Sequence, residues 1–238
     1  IEFKEKERSI TVQPGLVLDH LNAFLKPYGL FFPVDISTGS RATIGGMTAN
    51  NSCGARSIHY GIMVDNVRSI DAFLPMGGHF KFSDTPNNID ELEERRGYKQ
   101  IVKQVREIAE REKNELDKRF PKLKRRVGGY NLDTVDPIGH NMAKMLVGSE
   151  GTLATFKSIE LQLHDIPKHR VMGVCHFPNF YAAMDATQHI VKLNPVAVEL
   201  IDRTMIDLAK DIPIFRPVVE SFVKGEPGAL LLVEFASE

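Results

Sequence analysis

Between Thr43 and Gly61 the chain reads Thr-Ile-Gly-Gly-Met-Thr-Ala-Asn-Asn-Ser-Cys-Gly-Ala-Arg-Ser-Ile-His-Tyr-Gly, a stretch dense in small and amide-bearing residues. Adjacent glycines at Gly45 and Gly46 let a main chain approach a ligand closely and present its N–H groups. Asn50, Asn51 and Ser52 add short hydrogen-bonding side chains, and Gly54 and Gly61 are two further points of close approach. Such a surface suits the oxygens of a pyrophosphate or the polar edge of a flavin. On residue physics alone, a structural Gly/Asn-rich loop is the commoner use of such a sequence. The glycines do not have the Gly-x-Gly-x-x-Gly spacing of a Rossmann fingerprint, and no Gly-Lys-Ser/Thr follows as in a P-loop. A second polar turn, Gly148-Ser149-Glu150-Gly151-Thr152, leads into a strand-like run. Alone it is an ordinary capping turn; beside the first segment it carries more weight.

Other reactive side chains form no pattern of comparable weight. The eight histidines are scattered, and His164 and His169 have no carboxylate or third ligand at a metal-site spacing, so no metal is assigned. The basic run Lys118 to Arg126 could hold a substrate carboxylate or an acidic partner, but a solvated loop is the expected role. Arg126 and Tyr130 are the residues to watch there, and Arg203 is a further cation able to reach a carboxylate. Cys53 reads as a small packed residue near the ligand. With only Cys175 besides, no disulfide framework is available, which fits a reducing compartment.

The elements that must position these residues are of mixed type. Ser9 to Gln13 alternates like a strand until Pro14-Gly15 stops it, and Val17, Leu21, Phe24 and Leu25 recur at helical spacing before Gly29. Val67 to Leu74 and Phe80 to Phe82 read as strands joined through a Gly77-Gly78 turn. Ile89 to Phe120 reads as a charged helical segment with Ile101, Val105 and Ile108 as its apolar stripe, part of a surface insertion over about 88–126. Asn141 to Val147 predicts a short helix and Thr152 to Leu163 a strand. From Arg170 onward, strand (Val171 to Phe177), helix (Tyr181 to Leu193), strand (Val196 to Ile201), helix (Thr204 to Ala209) and strand (Leu230 to Phe235) alternate. The fold class is therefore α+β, the last part like an incomplete ferredoxin-like sandwich. With 42% hydrophobic and 26% charged residues the chain has the composition of a folded globular protein. A net charge of -1 gives no field to draw in nucleic acid or an anionic membrane. No apolar run approaches a membrane span and no signal peptide is visible. The chain opens on Ile1 without Met and stops at Glu238 just after an apolar run, so both ends are expected to be cuts in something longer.

Taken in order, Pro33, Ile44-Gly45-Gly46, Asn51, Tyr60-Gly61 and Asp65-Asn66-Val67, then Gly148-Ser149-Glu150-Gly151-Thr152-Leu153, form a specific set. They resemble the FAD-binding domain of the vanillyl-alcohol oxidase/p-cresol methylhydroxylase (PCMH) superfamily. The closest likeness is to the branch with D-lactate dehydrogenase, glycolate oxidase and D-2-hydroxyglutarate dehydrogenase. Ala154 departs from the pattern, where Gly usually follows. Arg125 to Leu132 looks like the large bacterial members that carry an iron–sulfur region. The resemblance implies a partial PCMH-type FAD-binding domain over 1–169, its second and larger part, and the start of a substrate cap over 170–238. It implies non-covalent FAD lined by Pro33, Thr43, Ile44, Gly45, Gly46, Asn50, Asn51, Cys53, Gly54, Tyr60 and Gly61. In it Thr43 to Gly46 and Asn50 to Gly54 would supply main-chain donors, and Glu150, Gly151, Thr152 and Leu153 would face the adenosine or ribityl portion. Cys53 and His59 raise the idea of covalent attachment, which is the less expected mode. The implied activity is oxidation of a D-2-hydroxy acid such as D-lactate, glycolate or D-2-hydroxyglutarate, with hydride passing from the α-carbon to flavin N5. Rival readings are a same-fold oxidase of another alcohol and a non-catalytic piece that holds no flavin. The family's Gly-rich pyrophosphate loop is expected before Ile1 and its His-containing motif after Glu238. No catalytic residue is therefore assigned, and weak or no FAD retention is expected of this chain. The implied partners are the substrate, an undefined electron acceptor and an iron–sulfur region or subunit of the parent. The expected location is the cytoplasm, with a peripheral place at the membrane open.

Overall fold

Ile10 and Val12 are buried in β2 (Ser9–Val12), which pairs antiparallel with β1 (Glu2–Lys4). The computed structural model describes residues 1–92, 97–136 and 139–237. After Pro14, α1 (Leu18–Leu25) buries Leu18, Leu21 and Leu25 along one face, and Gly29, left-handed at φ 68, closes its 3-10 extension. There follow β3 (Leu30–Phe31), α2 (Ile44–Asn50), α3 (Ser57–Tyr60) and α4 (Met63–Asn66). Next come the hairpin strands β4 (Val67–Phe73) and β5 (His79–Phe82). Helices α5 (Tyr98–Arg111), α6 (Lys113–Arg119) and α7 (Ala143–Leu146) precede β6 (Thr155–Gln162) and β7 (His164–Asp165). The main sheet runs β1-β2-β6-β4-β5, antiparallel throughout, and β3 pairs with β7. Ile10, Val12, Ile70, Ala72, Ile159 and Leu161 from this sheet join the helices in one apolar core.

The rest is β8 (His169–Phe177), α8 (Phe180–Ile190), β9 (Ala197–Asp202), α9 (Arg203–Asp211), α10 (Arg216–Phe222) and β10 (Ala229–Ser237). Strand β10 lies between β8 and β9 and is antiparallel to both, so β8 and β9 run parallel with a third strand inserted. That is the split β-α-β arrangement of ferredoxin-like folds. Ala229, Leu231 and Val233 pack with Ala183 of α8, whereas Leu230 packs with Ile206, Val219 and Val223 of α9 and α10. Successive residues of a strand face opposite sides, so this sheet is covered on both faces. By its contacts the chain forms two units, Ile1–Gly54 with Gly61–Ile166, and Ala55–Tyr60 with Pro167–Glu238.

Several elements differ from expectation, the short β3, β7, α3 and α4 among them. Ile44 to Asn50 is helix rather than loop, because Thr43 caps it and Ile44, Met47 and Thr48 are buried in it. Strand β1 and helix α10 have too few residues to declare themselves by period. The insertion is two helices, α5 and α6, and residues 93–96 within it lie outside the described residues. Its buried stripe is Tyr98, Val102, Arg106 and Ala109; Ile101 and Val105 flank it and Ile108 is exposed. Tyr98 stacks on Phe80 at 5.6 Å and meets Phe82 edge-on at 5.4 Å, so α5 belongs to the core and not to the surface alone.

Arg106, 8% exposed, fastens α5 to the loop after β5 by donating to the carbonyls of Pro86 (2.6 Å) and Asn87 (3.0 Å) and to Thr85 Oγ1 (3.0 Å). Thr85 in turn donates its hydroxyl to the His140 carbonyl at 2.6 Å. The His140 ring is buried beside this clamp, against the Asp136 carbonyl (3.1 Å) and Met142 Sδ (3.0 Å). Burial holds its pKa below the usual 6.5, and the Arg106 charge adds to that against the Asp136 hydrogen bond. The folded state therefore binds fewer protons than the unfolded chain between the depressed pKa and 6.5, and stability falls as pH drops through that window. Urea midpoints measured from about pH 7.5 to about pH 5 are expected to decline, and His140→Asn is expected to flatten that slope. An unchanged slope in the variant would remove His140 from the account.

Candidate cofactor site

Helix α2 begins where Thr43 Oγ1 accepts from the Gly46 amide at 3.2 Å. The Ile44 amide donates to the Leu16 carbonyl (2.8 Å) and the Gly45 amide to the Pro14 carbonyl (2.7 Å). The main-chain donors expected of Ile44, Gly45 and Gly46 thus have partners inside the protein. Gly45 is needed for another reason, since a Cβ there would stand 2.5 Å from Pro14 Cβ. Gly54 is tighter still, its Cβ position falling 1.8 Å from the carbonyl oxygen of Asp35, two residues beyond buried Pro33.

Asn51 ends α2 in the left-handed conformation at φ 55 and is fully buried. Its amide donates to the Thr48 carbonyl (3.2 Å), its Oδ1 accepts from the Val64 amide (3.0 Å), and its Nδ2 faces the Arg126 carbonyl at 3.5 Å. The Ser52 amide is likewise committed, to the Met47 carbonyl at 3.0 Å. Asparagine suits this place because its short amide side chain tolerates positive φ and bonds locally.

The second polar turn is fastened to the end of α2. The Gly148 amide donates to the Thr48 carbonyl and the Glu150 amide to the Ala49 carbonyl, both at 2.9 Å. Asn50 Nδ2 donates to Glu150 Oε1 at 3.0 Å, and Asn50 Oδ1 accepts from Ser52 Oγ at 3.0 Å. Gly148, Glu150 and Gly151 all have left-handed φ of 79, 51 and 74, so the turn curls tightly. Thr152 Oγ1 donates to the Ser149 carbonyl at 2.6 Å, which leaves Tyr130 as the donor in the 2.8 Å contact between their hydroxyls. Ser149, 1% exposed, has a hydroxyl with no partner among the described residues.

Gly46, Asn50, Glu150, Gly151 and Thr152 are exposed, while Ser52, Cys53 and Leu153 are half-buried. Asn50 and Ser52 are therefore joined to the exposed Glu150 in one polar edge, with Asn51 buried beneath it. Tyr60 belongs to the second unit and Gly61 to the first. Burial raises the Tyr60 phenol pKa, against the nearby charges of Arg170 and Arg56. Arg126 bonds Asp133 at 2.5 Å and Arg203 bonds Asp207 (2.8 Å) and Glu226 (2.6 Å), so the carboxylates they reach are the chain's own. Arg125 contacts Cys53 Sγ at 3.3 Å. Buried Asn131 was not foreseen, yet it supports the turn by donating to the carbonyls of Val147 (2.8 Å) and Lys144 (3.2 Å). Its only signal was its place in the Arg125 to Leu132 run. Among the described residues no three His, Cys, Asp or Glu side chains come together as metal ligands, and no helix is long and apolar enough to cross a membrane.

Comparison with known proteins adds two family matches, to an FAD binding domain over residues 1–83 and to the C-terminal domain of FAD linked oxidases over residues 166–238. A D-2-hydroxyglutarate dehydrogenase of Haemophilus influenzae is 35% identical over 99% of this chain and 24% of its own length. A mitochondrial cytochrome-type D-lactate dehydrogenase of Arabidopsis thaliana is 29% identical over 84% of the chain and 27% of its own length. An alkyldihydroxyacetonephosphate synthase structure superposes with a TM-score of 0.62 at 20% identity, covering 100% of this chain and 36% of that one, a likeness of PCMH-type fold. The chain thus spans about a quarter of the length of the curated relatives it matches.

The junction makes a direct prediction. Asn51→Ala leaves the buried Val64 amide without its acceptor and is expected to cost about 1–3 kcal/mol by urea unfolding. Gly54→Ala meets main chain rather than a movable side chain and is expected to cost as much or more, about 1–3 kcal/mol for overpacking alone. A neutral result at Gly54 would show that the Asp35 loop can move aside.

Proposed function

The chain belongs to the FAD-linked oxidase family of PCMH-type fold, and from that premise we propose that it forms part of an FAD-dependent dehydrogenase of a D-2-hydroxy acid. FAD is the cofactor of that family. The observation that carries the proposal for this chain is the junction of its two polar segments, with Asn50 bonded to Glu150 across 100 positions of sequence. Two turns that resemble FAD-binding motifs form one solvent-facing edge. The names of the relatives, D-2-hydroxyglutarate and D-lactate dehydrogenases, support the substrate class.

The residues present fit a polar, hydroxyl-bearing portion of the cofactor. The Glu150 carboxylate is exposed and accepts hydrogen bonds, as ribose hydroxyls require, and the buried Ser149 hydroxyl has bonding capacity to spare. On this reading Asn50, Cys53, Glu150, Thr152 and Leu153 hold the adenosine or ribityl side through side chains and Gly151 through its main chain, with buried Asn51 fixing the turn and Pro33 and Gly54 shaping the wall behind them. Thr43 to Gly46 contribute shape instead of donors. The flavin supplies the redox chemistry, acceptance of a hydride from the substrate α-carbon. This chain binds and orients, and none of its residues is assigned as the proton-accepting group. The region 1–169 is read as the flavin side and the region from 170 as the start of the substrate cap. The division of contacts at Ile166 and Pro167 supports that boundary.

A titration of the chain with FAD, ADP and FMN, followed by flavin fluorescence and calorimetry, tests the reading. Weak FAD binding is expected, with ADP competing better than FMN, and Glu150→Ala should weaken FAD about tenfold, the worth of one charge-assisted hydrogen bond. The full-length gene product should be yellow and bleached by a D-2-hydroxy acid. If that product carries no flavin and takes up none, the proposal fails.

A further inference from the structure

The main chain leaves the first unit at Gly54 and returns to it at Gly61, and the residues between, Ala55–Tyr60, cluster with the second unit. Both exits are closely held. Gly54 lies against the Asp35 main chain, and Gly61, at φ 78, leaves only 2.7 Å between a would-be Cβ and the Asp65 side chain. Within the second unit the excursion is secured at Arg56. Its guanidinium forks over Glu234, Nε to Oε2 at 3.1 Å and Nη2 to Oε1 at 3.3 Å. Arg170 of β8 brings a second cation to 3.9 Å from the same carboxylate.

Glu234 is an unusual residue for its place. It is 6% exposed on β10, the central strand, paired to Met172 on one side and Ala197 on the other. The sheet needs no carboxylate there, and a buried carboxylate without a partner is strongly unfavourable. Alternation puts Glu234 on the same face as Leu230, which α9 and α10 cover, and away from the Leu231 and Val233 face packed by α8. Arg56 links this carboxylate to the backbone that carries Tyr60. The amides of His59 and Tyr60 both donate to the Arg56 carbonyl at 3.0 Å. The side chain of Arg56 thus binds the strand while its main chain closes the turn.

We propose that the Arg56–Glu234 fork is a latch that holds the Ser57–Tyr60 turn on the β8-β10-β9 sheet, making Arg56 and Glu234 positioning residues for Tyr60. The fastening needs no flavin; its value for a cofactor wall rests on the family resemblance that places Tyr60 beside FAD. Hydrogen exchange of the whole chain without FAD tests the latch. Glu234→Gln is expected to speed exchange at the His59 and Tyr60 amides about tenfold or more while Leu231 and Val233, paired on both sides, stay protected. Arg56→Lys keeps the charge, loses the fork, and should give a smaller rise at the same two amides. A spectroscopic titration adds a readout that a general loss of stability would not give. The Tyr60 phenol, identified by difference against Tyr60→Phe, should ionise at lower pH in Glu234→Gln, because both the carboxylate and part of the burial are lost. Unchanged exchange at His59 and Tyr60 overturns the proposal, as does equal acceleration through β8, β9 and β10 in both variants. FAD binding measured on the same proteins separates failure of the latch from failure of the cofactor reading.

Discussion

The left-handed turn at Asn51 is the constraint on which the polar edge depends. A helix leaves its last carbonyls without intrahelical partners. Here those of Thr48 and Ala49 receive amides from Gly148 and Glu150, which lie far along the chain. The turn must open away from the helix axis for that docking to occur, and Asn51 achieves it while its side chain also secures the start of α4. Gly148 completes the fit, since its Cβ position would be 3.2 Å from the Asn51 Cβ. Hydrogen bonds to main chain therefore set the relative place of Asn50 and Glu150, with their own side-chain bond added on top.

How much of this was legible in the sequence follows from what each signal encodes. Period-2 and period-3.6 spacing and short apolar runs located β2, α1, β4, β8, α8, β9 and β10; α1 shows it most plainly, with Leu18, Leu21 and Leu25 buried along one face, whereas β10 declared itself as a continuous apolar run covered on both sides. The two polar turns were legible as a pair through their resemblance to a known family, and the contact between them agrees with that pairing. The role of Gly45 was not legible. Its adjacency to Gly46 reads equally as an open amide nest or as a close packing point, and only the position of Pro14 decides between them. The role of Asn131 was hidden for a related reason, as was the partner of Tyr130, a residue the sequence did single out: Val147 and Thr152 are brought to them by the path of an irregular segment with no period. The stripe on α5 was misplaced because Tyr98 and Arg106 are poor markers of burial, yet one is stacked on Phe80 and the other capped by carbonyls.

The second unit combines a common strand plan with an uncommon use of its faces. Inserting β10 between β8 and β9 places the most apolar run, Ala229 to Val233, where it is covered by helices on both sides. The same strand then carries a carboxylate two positions before Ala236, still within the ladder. Apolar packing accounts for one end of β10 and ionic pairing for the other.

The order of the first sheet has a consequence for how the chain is made. Strand β2 has its inner neighbour in β6, and Ser9 finds Gln162 about 150 residues later. β4 leans on the same late strand. During synthesis the β1-β2 and β4-β5 hairpins therefore emerge as separate ribbons, each with an open edge and apolar side chains awaiting cover. The last strand of the sheet to leave the ribosome is the one that joins them. Nascent chains stalled before β6 are thus the form most exposed to aggregation and most in need of a chaperone.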